Sequence, residues 1–152
     1  MKSDKLDIKC NLNFESDISE FNEILSARIT GKNILVIGGA GTIGSHYIKE
    51  ILNFQPNKIV IVDTNENGLT ELTRDLRSSF YLDYGPDYLS YPVNLLSDVF
   101  DKIFLSDHFD VIANFSAHKH VRSEKDEISV EALIKNNVYG AIKLLDLCMM
   151  RS

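Results

Sequence analysis

NILVIGGAGTIGS, running from Asn33 to Ser45, begins with four consecutive apolar residues, Ile34 to Ile37. The run is too short for a helix and rich in β-branched side chains, the pattern of a strand buried on both faces. Gly38, Gly41 and Gly44 come next in G-x-x-G-x-x-G spacing, with Gly39 filling one gap. After them Ile43, Tyr47, Ile48, Ile51 and Leu52 recur at helical spacing. The glycines therefore sit where a buried strand turns sharply into a helix. One has to make the tight turn, one has to let a pyrophosphate approach the backbone, and one has to let helix and strand pack closely. The N–H groups and positive dipole end of the new helix would then meet the phosphates. A glycine-rich turn without a ligand is the competing reading, and the strand–turn–helix context favours the dinucleotide. Gly38, Gly41, Thr42, Ile43 and Gly44 are the candidate cofactor contacts of this stretch.

The whole chain of 152 residues suffices for one domain that buries about 70% of its unfolded surface. Hydrophobic residues at 44% and charged residues at 25% are ordinary for a soluble globular protein. A net charge of −6 and a pI near 5.1 oppose nonspecific binding to nucleic acid or anionic lipid. No apolar run approaches the ~20 residues that span a bilayer. The N-terminus, MKSDKLDIKC, mixes charges without an apolar core, unlike a secretory signal. Cys10 and Cys148, far apart, suggest a reducing compartment rather than a disulfide framework, so the expected location is the cytoplasm.

Residues 1–29 read as a leader and a short helix, and residues 30–152 as the nucleotide-binding domain. Ser16 and Asp17 can cap the short helix, with Ile18, Phe21, Ile24 and Leu25 as its apolar stripe. The helix after the glycines is expected to run to about Phe54, before Gln55-Pro56-Asn57 breaks it. A second buried strand is expected at Lys58 to Asp63, then a helix capped by Asn65 and carrying Leu69, Leu72 and Leu76. Tyr81 to Tyr91 reads as a tyrosine-rich loop running into a weak strand near Leu89 to Val93. Ser97 begins a short helix with Val99, Ile103 and Phe104 inward, and Asp110 to Phe115 is the next strand. Ile128 to Met150 reads as one long helix with Leu133, Ile134, Val138, Ile142, Leu145 and Cys148 along one side. Such alternation predicts an α/β fold: a Rossmann-type parallel sheet with helices on both faces, stopping after about four strands.

Asp63 ends the second strand nineteen residues beyond Gly44, close to the expected ~20. A carboxylate there can accept both adenosine ribose hydroxyls and would repel a 2′-phosphate. Thr64, Asn65 and Glu66 come next without an arginine, so NAD is preferred to NADP. A turn-capping role is the alternative for Asp63. Asn94 and Leu95 succeed the third strand, where an amide and an apolar wall would suit adenine, although loop capping explains Asn94 nearly as well. Ser116 and Ala117 succeed the fourth strand, where small residues would let the backbone pass close to the nicotinamide half. His118 and His120 flank Lys119, but two histidines at i and i+2 without nearby cysteines seldom bind zinc, and no metal site is expected. Glu124, Asp126 and Glu127 read as the solvated start of the last helix.

TGKNILVIGGAGTIGS, VDTNE, DVIANFSAHKHV and KNNVYGAIKLLDLC together resemble the extended short-chain dehydrogenase/reductase superfamily. Within it, the chain is similar to bacterial polysaccharide-biosynthesis nucleotide-sugar 4,6-dehydratases and epimerases. The resemblance covers about Thr30 to Met150 and puts Asn137 and Gly140 on the recurrent Asn and Gly of a T-N-V-x-G-T helix. It implies a bound NAD(P) that oxidises C4 of a UDP-sugar, often UDP-N-acetylglucosamine. Water is then eliminated across C5 and C6, and hydride returns at C6; epimerases of the group return hydride at another carbon. It also implies a homo-oligomer, a fifth strand beside Asp110–Phe115, and a substrate contact from Lys119. The family's acid/base residues lie in a Ser/Thr-Asp-Lys stretch and a Tyr- or Met-x-x-x-Lys motif. The family places both after a fifth strand, and only about four strands are read here, so no catalytic residue is assigned among these residues and cofactor binding without turnover is expected. A stand-alone NAD-binding module, and a nucleotide-sugar-binding domain completed by another chain, are the other two readings.

Overall fold

The computed structural model describes residues 18–118 and 126–151. In chain order the elements are α1 (Asn22–Ile29), β1 (Asn33–Ile37), α2 (Thr42–Leu52), β2 (Lys58–Asp63), α3 (Glu66–Ser78), β3 (Asp87–Pro92), α4 (Asp98–Ser106) and β4 (Val111–Asn114). Last come α5 (Glu127–Ile134), a π-helical turn (Lys135–Tyr139) and α6 (Gly140–Met149). The four strands form one parallel sheet in the order β3-β2-β1-β4. On β1, Ile34 stands opposite Ile59 of β2 and Val111 of β4.

Both faces of the central strands are covered, which is why their apolar runs do not alternate with polar residues. Ile34, Val36, Ile59 and Ile61 meet Ile48, Ile51 and Leu52 of α2 and Leu69, Leu72 and Leu76 of α3. Leu35, Ile37, Val60 and Val62 meet Phe100 and Phe104 of α4 and Leu144 and Leu147 of α6. Lys143 ties α6 to α4, its ammonium 2.6 Å from Asp101 Oδ1 and donating to Ser97 O at 3.1 Å. Asn65, Ser97 and Asp126 each accept from a backbone N–H in the first turn of α3, α4 and α5. Asp126 and Glu127 are thus a helix start, as expected, while Glu124 lies outside the described residues.

Several sequence expectations need correction. Ser16 and Asp17 lie outside the described residues, while Phe21 and Ile24 are exposed and α1 anchors through Ile29 with Leu25 beside it. Of the expected stripe only Leu25 packs on the core, and the buried contact of α1 is Ile29, a residue the stripe leaves out. α2 ends at Leu52, two residues early, and Asn53–Phe54 form a turn before Gln55 takes φ +53°. The weak strand begins at Asp87 rather than Leu89, because its backbone N–H already donates to Asn57 O at 3.0 Å. Asp110 and Phe115 fall just outside β4, yet their N–H groups still donate to Asn33 O and Ile37 O of β1. On α4, Val99 is exposed and Phe100 takes the inward place.

The last helix departs most. Its regular repeat is broken at Lys135–Tyr139, where the wider turn takes an extra residue and rotates the helix beyond it. Gly140, Leu144 and Leu147 consequently face the sheet, whereas Ile134, Val138, Ile142 and Leu145 are exposed. A Cβ at Gly140 would lie 3.1 Å from Leu95 Cδ2, so the glycine lets α6 settle closely on that side chain.

Candidate functional site

At the C-terminal ends of β1, β2 and β4 the described residues enclose a cavity of about 270 Å³. The strands leave β1 in opposite directions there, one crossover leading to β2 and the later chain returning to β4. That is the topological switch point at which open α/β sheets bind ligands. Ile37, Gly38 and Gly41 form one wall, Val62, Asp63 and Thr64 a second, and Val93, Asn94 and Leu95 a third. Phe115 to His118 and Asn136 close the remaining side.

The three glycines of the fingerprint meet different constraints. Gly38 holds φ +77°, and a Cβ there would lie 2.5 Å from Ser116 N, so both conformation and the close pass of the β4 loop demand glycine. Gly44 is buried, and a Cβ on it would collide with the Gly38 carbonyl. Gly41 is different: its only neighbour within reach of a Cβ is Gly38 O, at an ordinary 3.5 Å. Protein packing therefore explains Gly38 and Gly44 but not Gly41.

Gly41 is also the N-cap of α2, and it leaves that helix without a side-chain cap. The helices that succeed the other strands each have one, from Asn65, Ser97 or Asp126. Thr42 and Ile43 open α2 and are exposed, Ile43 at 60% of its surface. An uncapped helix start beside a glycine with open space is a ready receptor for an anion.

Asp63 is half-buried, and both oxygens are engaged by backbone: Oδ2 accepts from Ala40 N–H and Oδ1 from Asn65 N–H, each at 2.9 Å. Asn94 braces its own loop, accepting from Leu96 N–H at 2.8 Å. Leu95 lines the cavity and is also buried in the core beneath it. Asn114 Oδ1 accepts from both N–H and Oγ of Ser116, fixing the turn that carries Ser116 and the exposed Ala117.

Asn137 clasps His118 from the π-helical turn, accepting from its N–H at 2.8 Å and donating to its carbonyl at 2.9 Å. Asn136, beside it, donates to Asn137 Oδ1 at 3.0 Å and lines the cavity. Thr64, Val93, Phe115 and Asn136 are lining residues that sequence reasoning misses. The Asn136-Asn137 pair is the available signal for the last of these. Lys119 and His120, the expected substrate contact and one of the histidine pair, lie outside the described residues.

A parallel β3-β2-β1-β4 sheet, a glycine turn after β1 and an acid closing β2 define a Rossmann-type nucleotide-binding fold. More particularly, the chain belongs to a family of polysaccharide biosynthesis proteins, whose profile matches residues 34–152. An inverting UDP-N-acetylglucosamine 4,6-dehydratase of Campylobacter jejuni is 34% identical over 122 residues, covering 78% of this chain and 33% of that protein. Among solved structures, UDP-glucuronic acid 4-epimerase of Bacillus cereus, in complex with UDP-glucuronic acid and NAD, matches with a TM-score of 0.56 and 25% identity. That match covers 76% of this chain and 36% of the other. The epimerase Mth375 of Methanothermobacter thermautotrophicus, at 20% identity and a TM-score of 0.66, shares the fold over 88% of this chain and 36% of its own. The chain spans about a third or less of the length of the curated relatives it matches. Among the described residues no helix is long and apolar enough to cross a membrane.

Proposed function

We propose that this chain is the NAD-binding portion of a nucleotide-sugar-modifying enzyme, of the UDP-N-acetylglucosamine 4,6-dehydratase type. The observation that carries the reading is the bare start of α2 at Gly41, open on the cavity side, with Asp63 across the same cavity. Gly38, Gly41, Thr42, Ile43 and Gly44 would receive the pyrophosphate. Each Asp63 oxygen accepts one backbone N–H and keeps a further lone pair for a ribose hydroxyl. Its negative charge disfavours a 2′-phosphate, so NAD is preferred to NADP. Asn94 and Leu95 would border the adenine, and Ser116 and Ala117 the nicotinamide half. When bound, the nicotinamide would accept and return the hydride. This chain's residues hold and orient it. Lys119 would contact the sugar nucleotide.

The dehydratase is favoured over the epimerase by the Campylobacter relative, while the Bacillus structure keeps the epimerase as the second reading. A non-catalytic NAD-binding module is the third. We further propose a homo-oligomer, because α5 and α6 carry a large exposed apolar surface.

Calorimetric titration of the native chain and Asp63→Ala with NAD and NADP tests the cofactor reading. The expected outcome is NAD preferred by the native chain and about tenfold weaker NAD binding by Asp63→Ala, equal to ~1.4 kcal/mol. Equal NAD affinity in the two proteins would remove Asp63 from the site. In a parallel arm with UDP-N-acetylglucosamine and NAD, mass spectrometry is expected to find no dehydrated product, and such product would place acid/base chemistry within these residues.

A further inference from the structure

Asp63 and the first turn of α3 form a closed circuit with the glycine turn. Asp63 Oδ2 accepts from Ala40 N–H, and Oδ1 accepts from Asn65 N–H. Asn65 caps α3 by accepting from Gly68 N–H at 3.0 Å. The circuit closes through packing: a Cβ at Gly68 would lie 3.0 Å from the Ala40 Cβ and 2.7 Å from the Asn65 side-chain nitrogen. The Asn65 amide could swing aside only by giving up its cap.

Gly68 has no backbone reason to be glycine. It is absent from the positive-φ residues and sits at the third position of a helix, where alanine is preferred by up to about 1 kcal/mol. A capping box would put Glu or Gln there. The capping Asn65 side chain and the Ala40 methyl group together leave no room for a Cβ.

We propose that Gly68 and Asp63 are positioning residues of the dinucleotide cleft, holding Ala40 and with it the Gly38–Gly41 turn in its receptive form before a cofactor arrives. This rests on the reading that the turn receives a pyrophosphate. A glycine turn has many backbone conformations open to it, and any ordering left until binding is subtracted from affinity. Asp63 pins the N–H of Ala40, and Gly68 gives its methyl group a fitted seat. The two sides together stop the turn from shifting along α2 or away from β2.

Hydrogen exchange of the cofactor-free chain, resolved over residues 38–45, is the first readout, and calorimetric NAD affinity is the second. Gly68→Ala is expected to speed exchange in that segment about fivefold and to weaken NAD about tenfold, with the amides of α4 and β1 unchanged. Asp63→Asn, which conserves volume and keeps one acceptor oxygen, is expected to loosen the same amides. In the double variant the two exchange effects are expected to fall short of additive, since both act on Ala40. Native exchange in Gly68→Ala, loosening spread evenly over the chain, or strictly additive effects would overturn the proposal. Should Gly68→Ala fail to fold, Asp63→Asn decides it alone, and unchanged exchange at Ala40 overturns it. If the native chain takes no NAD, the dinucleotide reading falls while the exchange measurements still judge the circuit.

Discussion

Every residue from Ile34 to Ile37 on β1 and from Ile59 to Val62 on β2 is buried, whereas on α5, the π-helical turn and α6 Ile128, Ile134, Val138, Ile142, Leu145 and Met149 stay exposed. Both regions are rich in apolar residues. They differ in where their partners come from. The central strands are covered by α2 and α3 on one face and by α4 and α6 on the other. Helix α6 is covered on one side, where the sheet and α4 take Gly140, Leu144 and Leu147. Its opposite side has no cover among the described residues. Apolar content therefore signals burial only when the chain also supplies the opposing surface.

Truncation gives the largest expected difference between the two regions. Leu35→Ala on β1, at a side chain with no exposed surface, is expected to cost about 2–5 kcal/mol in urea unfolding. Leu145→Ala, at a side chain 63% exposed, is expected to change stability by less than ~0.5 kcal/mol in a monomer. Comparable losses would mean that the α6 face is covered in solution as fully as the strands.

A subtler effect probes the same contrast from the exposed side. Leu145→Lys leaves the fold intact but places a charge in the exposed apolar surface. Light scattering over a dilution series is expected to show self-association by the native chain and less of it in the variant. A native chain that stays monomeric at micromolar concentration would remove the homo-oligomer.

The smallest expected effect belongs to the sheet's other end. The Asn33 N–H, with Lys32 beside it, holds the Asp110 carboxyl below its ordinary value. At Asp107 burial acts to raise the value, but Lys58, the His108 N–H and Arg151 outweigh it and lower it. Carboxylates with depressed folded-state values contribute stability above their unfolded values, near 3.9. That contribution is lost as pH falls through the lower folded values. The thermal midpoint is therefore expected to decline below about pH 4, and Asp110→Asn to make the decline shallower. An identical acid limb in the variant would free Asp110 from this role.

Legibility in the sequence divides along the same line. The β1–α2–β2–α3 unit is legible because each partner is a sequence neighbour: a buried strand, glycines at fixed spacing, a helix and an acid about twenty residues on. Asn65, Ser97 and the Asp126–Glu127 start are legible because capping is local chemistry. The inward face of the last helix is not. The chain carries more apolar residues there than one face can hold, and the π-helical turn at Lys135–Tyr139 shifts the register between its two halves. Nothing in the periodicity announces that extra residue. Asn136 enters the cavity wall, and Asn137 reaches the His118 backbone, through the same local turn.

Element types, the parallel sheet and the place of the glycine turn are properties of the amino-acid sequence alone, since they depend on side-chain period, chain stiffness and short-range hydrogen bonding. Which glycine each constraint falls upon is settled only by tertiary structure. Gly38 is set by the passing Ser116 backbone, Gly44 by the Gly38 carbonyl, and Gly68 by the capping Asn65 side chain together with a methyl group twenty-eight residues earlier, while Gly41 meets no crowding at all. Steric exclusion acts between atoms brought together only after folding, so no reading of spacing along the chain could assign it.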